Sequence, residues 1–240
     1  MKNFFLFLKN DVIKNYIYSL KAKKRLLIKD TPILIYQPGK VGSMSIYKSL
    51  KKYKKNVFHT HFLNHNHKSL EIRTFYNEFV LKKRKVKIIT LIRNPFKRNE
   101  SSFFELKNMF INKKKYTTNQ IRKIYINDFP HFDIINWFEN ELFRSTGIDV
   151  YKKKLIDDMY QKYKMNNFEV LLLKCEISNK HKEKIICDFL KLNKFKINNT
   201  NRSKDKSYSK LYSDFKESIK YPDFITKKIK NSIYYKSFYN

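Results

Sequence analysis

The chain has 240 residues, 42% of them hydrophobic, which suits one domain with a full core and excludes a disordered segment. Its 53 Lys and Arg against 21 Asp and Glu leave a formal net charge of +32. That favours anionic ligands or surfaces, although a composition rich in Lys, Asn, Ile, Phe and Tyr is also the mark of AT-rich coding.

In chain order, residues 1–30 form a basic, amphipathic lead-in. Phe4, Phe5, Leu8, Val12, Ile13, Tyr16 and Ile17 recur near helical spacing. The apolar start is too short for a signal peptide and has no small-residue cleavage site after it. No run of about eighteen apolar residues follows, so the expected location is the cytoplasm. A stripe of this kind most often packs on its own domain; the alternative is peripheral association with an anionic membrane surface. Residues 31–240 read as a single domain. Ile33-Leu34-Ile35-Tyr36 predicts a buried strand, followed by a Gly-containing turn and a helix carrying Ile46, Tyr47, Leu50 and Tyr53. Val57-Phe58 begins a second strand, residues 68–83 suit a helix, and Val86–Ile92 is the clearest strand in the chain. Phe96, Phe103, Leu106 and Phe110 mark one face of the next helix. From about 117 to 165 the pattern is helical throughout, with turns near Pro130 and Gly147. Phe168–Leu173 predicts another buried strand and Ile177–Leu192 another helix. A polar segment at 198–206 precedes closing helices at 208–216 and 222–229. Strands alternating with helices imply an α/β fold with a parallel sheet flanked by helices, and such sheets bind ligands at the carboxyl ends of their strands.

Two of the chain's three glycines fall in Gln37-Pro38-Gly39-Lys40-Val41-Gly42-Ser43-Met44-Ser45, between the first strand and its helix. A chain so poor in glycine uses it where the backbone turns sharply or approaches a ligand. Lys40 adds a cation, Ser43 and Ser45 add hydroxyls, and the helix N-terminus favours an anion. The competing reading is an ordinary turn capped by Ser43. The loop is not a Walker A sequence, because its lysine precedes the second glycine. It resembles the 5′-phosphosulfate loop of sulfotransferases, which implies that residues 39–45 (Gly39, Lys40, Val41, Gly42, Ser43, Met44 and Ser45) hold the nucleotide.

A second motif agrees. Arg93-Asn94-Pro95 stands at a strand end, with Ser101 eight residues after the arginine on the next helix. An arginine offers a planar fork to a phosphate. The segment looks like the 3′-phosphate motif of sulfotransferases, with Asn94 in place of the usual aspartate. Leu171–Glu176 resembles the late strand that ends in an acidic residue. The segment from Lys206 through Tyr208 to Tyr212 resembles the basic stretch that closes over the nucleotide. With Trp137–Leu142 and Gly147–Tyr151, the whole is similar to a bacterial family of capsular polysaccharide synthesis proteins. The resemblance runs in pieces from about residue 32 to residue 216. It implies a P-loop NTPase-like sulfotransferase fold, 3′-phosphoadenosine 5′-phosphosulfate as co-substrate with no metal, and a glycan acceptor.

Four of the six histidines, His59, His61, His65 and His67, follow the second strand. Imidazole serves as a metal ligand or as a general base near neutral pH. No nearby carboxylate or cysteine completes a metal site, and His65 and His67 are the expected bystanders. His59-Thr60-His61 resembles the catalytic pair of hexuronic-acid 2-O-sulfotransferases, which implies that His61 or His59 takes the acceptor proton while Lys40 stabilises the leaving oxygen. The alternatives are a P-loop kinase or other nucleotide-binding protein, and a non-enzymatic basic protein that binds nucleic acid. The first lacks its loop and the second rests on charge alone.

Overall fold

The protein's structure is a computed structural model that describes residues 2–110, 116–198 and 209–240. Helix α1 (Lys2–Leu26) leads into β1 (Ile33–Tyr36), α2 (Ser43–Leu50), β2 (Val57–Thr60) and α3 (Leu70–Tyr76), which continues as a π-helical turn to Leu81. Then come β3 (Val86–Ile92) and α4 (Pro95–Phe110). A helical stretch follows: α5 (Thr118–Asp128), α6 (Asp133–Trp137), a π-helical segment Phe138–Phe143 and α7 (Arg144–Thr146). The hairpin of β4 (Tyr160–Met165) and β5 (Phe168–Lys174) precedes α8 (Asn179–Leu190), α9 (Ser209–Ser218), α10 (Asp223–Asn231) and α11 (Ile233–Phe238).

The five strands form one sheet in the order β2-β1-β3-β5-β4. All neighbours are parallel except β4, which runs antiparallel to β5 at the edge. Every residue of β1 is buried, as a central strand covered on both faces requires. Alternate residues serve alternate faces. Leu34, Tyr36, Ile88, Ile92, Val170 and Leu172 pack with α6 and the Phe138 segment, while Ile35, Ile89, Leu171 and Leu173 pack with Ile46 and Leu50 of α2 and Ile186 of α8. Phe103, Phe104, Tyr125 and Phe215 form a satellite core between α4, α5 and α9.

Two expectations are corrected. The helical pattern expected to 165 ends with a 3-10 turn at Val150–Lys152, and residues 160–174 form a hairpin that Asn166, at φ 51°, turns back. Tyr160 and Tyr163 fall near helical spacing by chance in a strand that is only partly covered. The apolar stripe of the lead-in, where its side chains are described, does not pack on the domain either; the side chains of Phe4, Phe5 and Leu8 lie outside the described ones. Val12, Ile13, Tyr16 and Ile17 are exposed, and α1 instead buries Ser19, Ala22 and Leu26.

Candidate functional site

Because β1, β2, β3 and β5 are parallel, the segments that leave them meet at one edge. After β1, φ is positive at Lys40 (70°) and Gly42 (82°) but not at Gly39 or Val41. Such alternation turns successive amides toward one concave side, a nest suited to an anion. Of the two glycines, only Gly42 needs its conformational freedom, and Lys40 takes the left-handed region in spite of its side chain. Val41 points into the core, while Met44 and Ser45 lie half-buried on the first turn of α2. A Cβ on Gly42 would stand 3.2 Å from Cys175 Sγ, whereas one on Gly39 would meet nothing closer than Arg98 Nη2 at 4.0 Å. Gly42→Ala is therefore expected to lower stability by roughly 1–2 kcal/mol. Gly39→Ala is expected to change it by no more than about 0.5 kcal/mol, the usual size of an unstrained surface change. Denaturant unfolding of the two variants checks the contrast.

Ser43 does not cap α2. The cap position is Gly42, with no side-chain bond, and the Ser43 hydroxyl is turned inward. Gln37 Nε2 donates to Ser43 Oγ at 2.8 Å, and Ser43 Oγ lies 3.0 Å from His59 Nε2. His59 sits within β2, opposite Ile35 of β1, rather than after the strand. His61 follows one residue past the strand, and the two rings are 5.0 Å apart on one side of the chain. The His61 tautomer is set by its neighbour. The Gln37 carbonyl oxygen can only accept, so His61 Nδ1–H donates to it at 2.9 Å and Nε2 keeps the lone pair. The 3.4 Å approach of Gln37 Nε2 to the same Nδ1 is then a contact without a shared proton. Burial holds the His61 pKa below 6.5; the Gln37 bond opposes that, and the Arg98 charge adds to it. Burial, with His61 beside it, pushes His59 down to about 4.

The loop after β3 grips the loop after β1. Arg93 Nη1 donates to the Lys40 carbonyl at 2.7 Å, and Arg98 Nε donates to the Gly39 carbonyl at 3.0 Å. With those carbonyls held by guanidinium groups, three cationic side chains (Lys40, Arg93 and Arg98) crowd one short loop. Lys40 Nζ lies 3.2 Å from Glu105 of α4. Ser101 stands half-buried two turns into α4. Asn94 caps that helix through Oδ1, accepting from the amides of Phe96 and Lys97, which an aspartate would do equally. The Asn94 amide donates to Glu176 at 2.7 Å. Tyr234 brackets Arg93, its hydroxyl accepting from the amide and donating to the carbonyl.

The 137–142 segment, which carries no readable chemistry of its own, clamps the histidine loop. Trp137 Nε1 donates to the His61 carbonyl at 3.3 Å. Glu141 accepts from Tyr36 at 3.0 Å and from the Leu63 amide at 3.4 Å. His65 lies against Tyr76, and His67 accepts from the Ser69 amide and stacks on Phe62. Among the described residues, no group of three or more His, Cys, Asp or Glu side chains is placed to hold a metal ion. Lys206 and Tyr208 lie outside the described residues. Gln37, Arg98, Glu141 and Tyr234 are the functional-edge residues that sequence reasoning passed over. The first three sit inside segments it singled out, Glu141 in the one at 137–142; Tyr234 carries no local signal.

Residues 108–240, more than half of the chain, match the family described as "Putative capsular polysaccharide synthesis protein". The matched part contains Trp137, Glu141 and Tyr234, the residues that brace the site's loops, while the loops themselves lie before it. No curated protein and no solved structure matches the chain. Among the described residues, no helix is long and apolar enough to cross a membrane.

Proposed function

The chain belongs to this family of capsular polysaccharide synthesis proteins, and on that premise we propose that it transfers a sulfuryl group from 3′-phosphoadenosine 5′-phosphosulfate to a hydroxyl of a capsular or other surface polysaccharide, on a sheet of the P-loop sulfotransferase kind. The observation that carries the reading is the meeting, at one sheet edge, of an anion nest at residues 39–42 with a histidine whose Nε2 is freed by its tautomer. The residues fit the nucleotide. A Cβ on Gly39 would meet nothing closer than Arg98 Nη2 at 4.0 Å, and Gln37 Oε1 is buried with no hydrogen bond from the described residues.

When bound, the phosphosulfate supplies an electrophilic sulfuryl group and a stable bisphosphate as its leaving part. The amides of residues 40–45 hold the 5′-phosphate, and Arg93 with Ser101 holds the 3′-phosphate. Lys40 exchanges Glu105 for the charge that builds on the bridging oxygen. His61 Nε2 takes the proton of the acceptor hydroxyl. His59 works through Ser43 and Gln37, whose amide fixes the loop on which His61 leans.

The test compares binding of adenosine 3′,5′-bisphosphate, 5′-AMP, ATP with Mg²⁺ and duplex DNA at physiological salt. The bisphosphate is expected to bind tightest. Arg93→Ala is expected to lose roughly 2–5 kcal/mol of the preference over 5′-AMP, the usual loss of one charged partner. Tighter binding of ATP with Mg²⁺ would point to a kinase, and tighter binding of DNA to a nucleic-acid protein; either result sinks the sulfuryl reading.

A further inference from the structure

We propose that α1 docks this protein on an anionic lipid bilayer through an apolar stripe that the fold leaves bare. The inference does not depend on sulfuryl transfer. Val12, Ile13, Tyr16, Ile17 and Leu20 are between 41% and 66% exposed. At 100° per residue Ile13, Tyr16, Ile17 and Leu20 share one side of the helix, roughly 140° away from the side that Ser19, Ala22 and Leu26 bury, while Val12 falls within about 20° of Ser19.

The stripe is bare because α1 packs on the domain through its other side, and Val12, nearly in line with Ser19, is bare for a reason of length. Ser19 Oγ meets Thr74 Oγ1 at 3.1 Å, and the Leu26 carbonyl accepts from Arg84, so α1 runs beside α3 in the same direction. Val12 lies about 10 Å before Ser19 along the axis, whereas α3 begins only about 6 Å before Thr74. The first half of α1 therefore overruns its neighbour.

Charge selects the occupant. From Val12 to Leu26 the helix carries five cations and no carboxylate. Lys14 and Lys21 are exposed along one border of the stripe, and Lys23 and Lys24 are exposed at its end. An apolar face bordered by lysines suits an anionic headgroup layer, where the rings and aliphatic chains enter the interface and the ammonium groups meet phosphates. A second copy is disfavoured, because two chains of net charge +32 would have to meet through lysine-bordered faces.

The experiment is co-sedimentation of the full chain with vesicles of equimolar phosphatidylglycerol and phosphatidylcholine, and with pure phosphatidylcholine, at physiological salt. Binding is expected to the anionic vesicles and to be at least tenfold weaker to the neutral ones. The Ile13→Ser/Ile17→Ser double variant is expected to bind the anionic vesicles at least tenfold more weakly at an unchanged melting temperature, since both side chains are exposed. Should that variant fail to fold, Tyr16→Trp gives a second readout: its emission is expected to shift to the blue on anionic vesicles over the constant background of the buried Trp137. No binding, equal binding by the double variant, no emission shift, or a dimer in sedimentation equilibrium that the double variant abolishes would each overturn the proposal.

Discussion

His61→Ala is expected to lower turnover on the true acceptor by roughly 10²–10⁴-fold, the usual share of general-base catalysis. Affinity for adenosine 3′,5′-bisphosphate should stay nearly intact, because the nest at residues 39–42 is held by Arg93 and Arg98 and not by His61. The geometry separates the two histidines. His61 Nε2 is left open by the Nδ1–H bond to Gln37, while His59 Nε2 is engaged with Ser43. His59→Asn should therefore cost less than His61→Ala. The pH profile supplies the sign. The base acts when neutral, so the rate rises with pH through the His61 pKa and is flat above it. Burial, helped by Arg98 and opposed by the Gln37 bond, holds that pKa below 6.5. The rise is thus expected on the acid side of 6.5, with a plateau at neutral pH. Near-normal turnover in both histidine variants would move the base elsewhere.

Lys40→Ala is expected to lower kcat by on the order of 10²-fold or more, with a much smaller change in nucleotide affinity. That is the pattern for a charge that matters most when the bond breaks. Its partner gives the control. The Lys40–Glu105 pair is partly exposed and worth little to stability, about 1 kcal/mol at most once solvent screening is counted. Glu105→Gln should therefore leave turnover unchanged or raise it, because Lys40 no longer has to leave a carboxylate. A steep loss in Glu105→Gln together with a mild one in Lys40→Ala would reverse the roles and make the carboxylate the working group. Single-turnover kinetics beside equilibrium binding separates these outcomes.

Much of the fold follows from short-range pattern. Ile33–Tyr36, Val86–Ile92 and Phe168–Leu173 are apolar runs that only a sheet covered on both faces can bury, and all three are central strands. The loop at residues 37–45 announces itself because glycine is scarce and stands between a strand and a helix. The hairpin at 160–174 was hidden. Tyr160 and Tyr163 at helical spacing imitate an amphipathic helix, and the turn that decides the matter is a single left-handed Asn166.

The sequence by itself determined the strand-loop-helix units, the two basic loop motifs and the gathering of histidines at the end of the second strand, because each depends on residues within about ten positions of one another. Only the tertiary structure decided which groups meet and in what state. The Ser43 hydroxyl faces His59 rather than the helix end, since β2 lies beside β1 in register. The His61 lone pair is on Nε2 because a backbone carbonyl 24 positions away accepts the other proton. Arg98, Glu141 and Tyr234 reach the same edge from 59, 78 and 141 positions away from their partners, along helices whose packing no local pattern encodes. The bare stripe of α1 likewise became visible only once the side through which α1 packs on α3 was known.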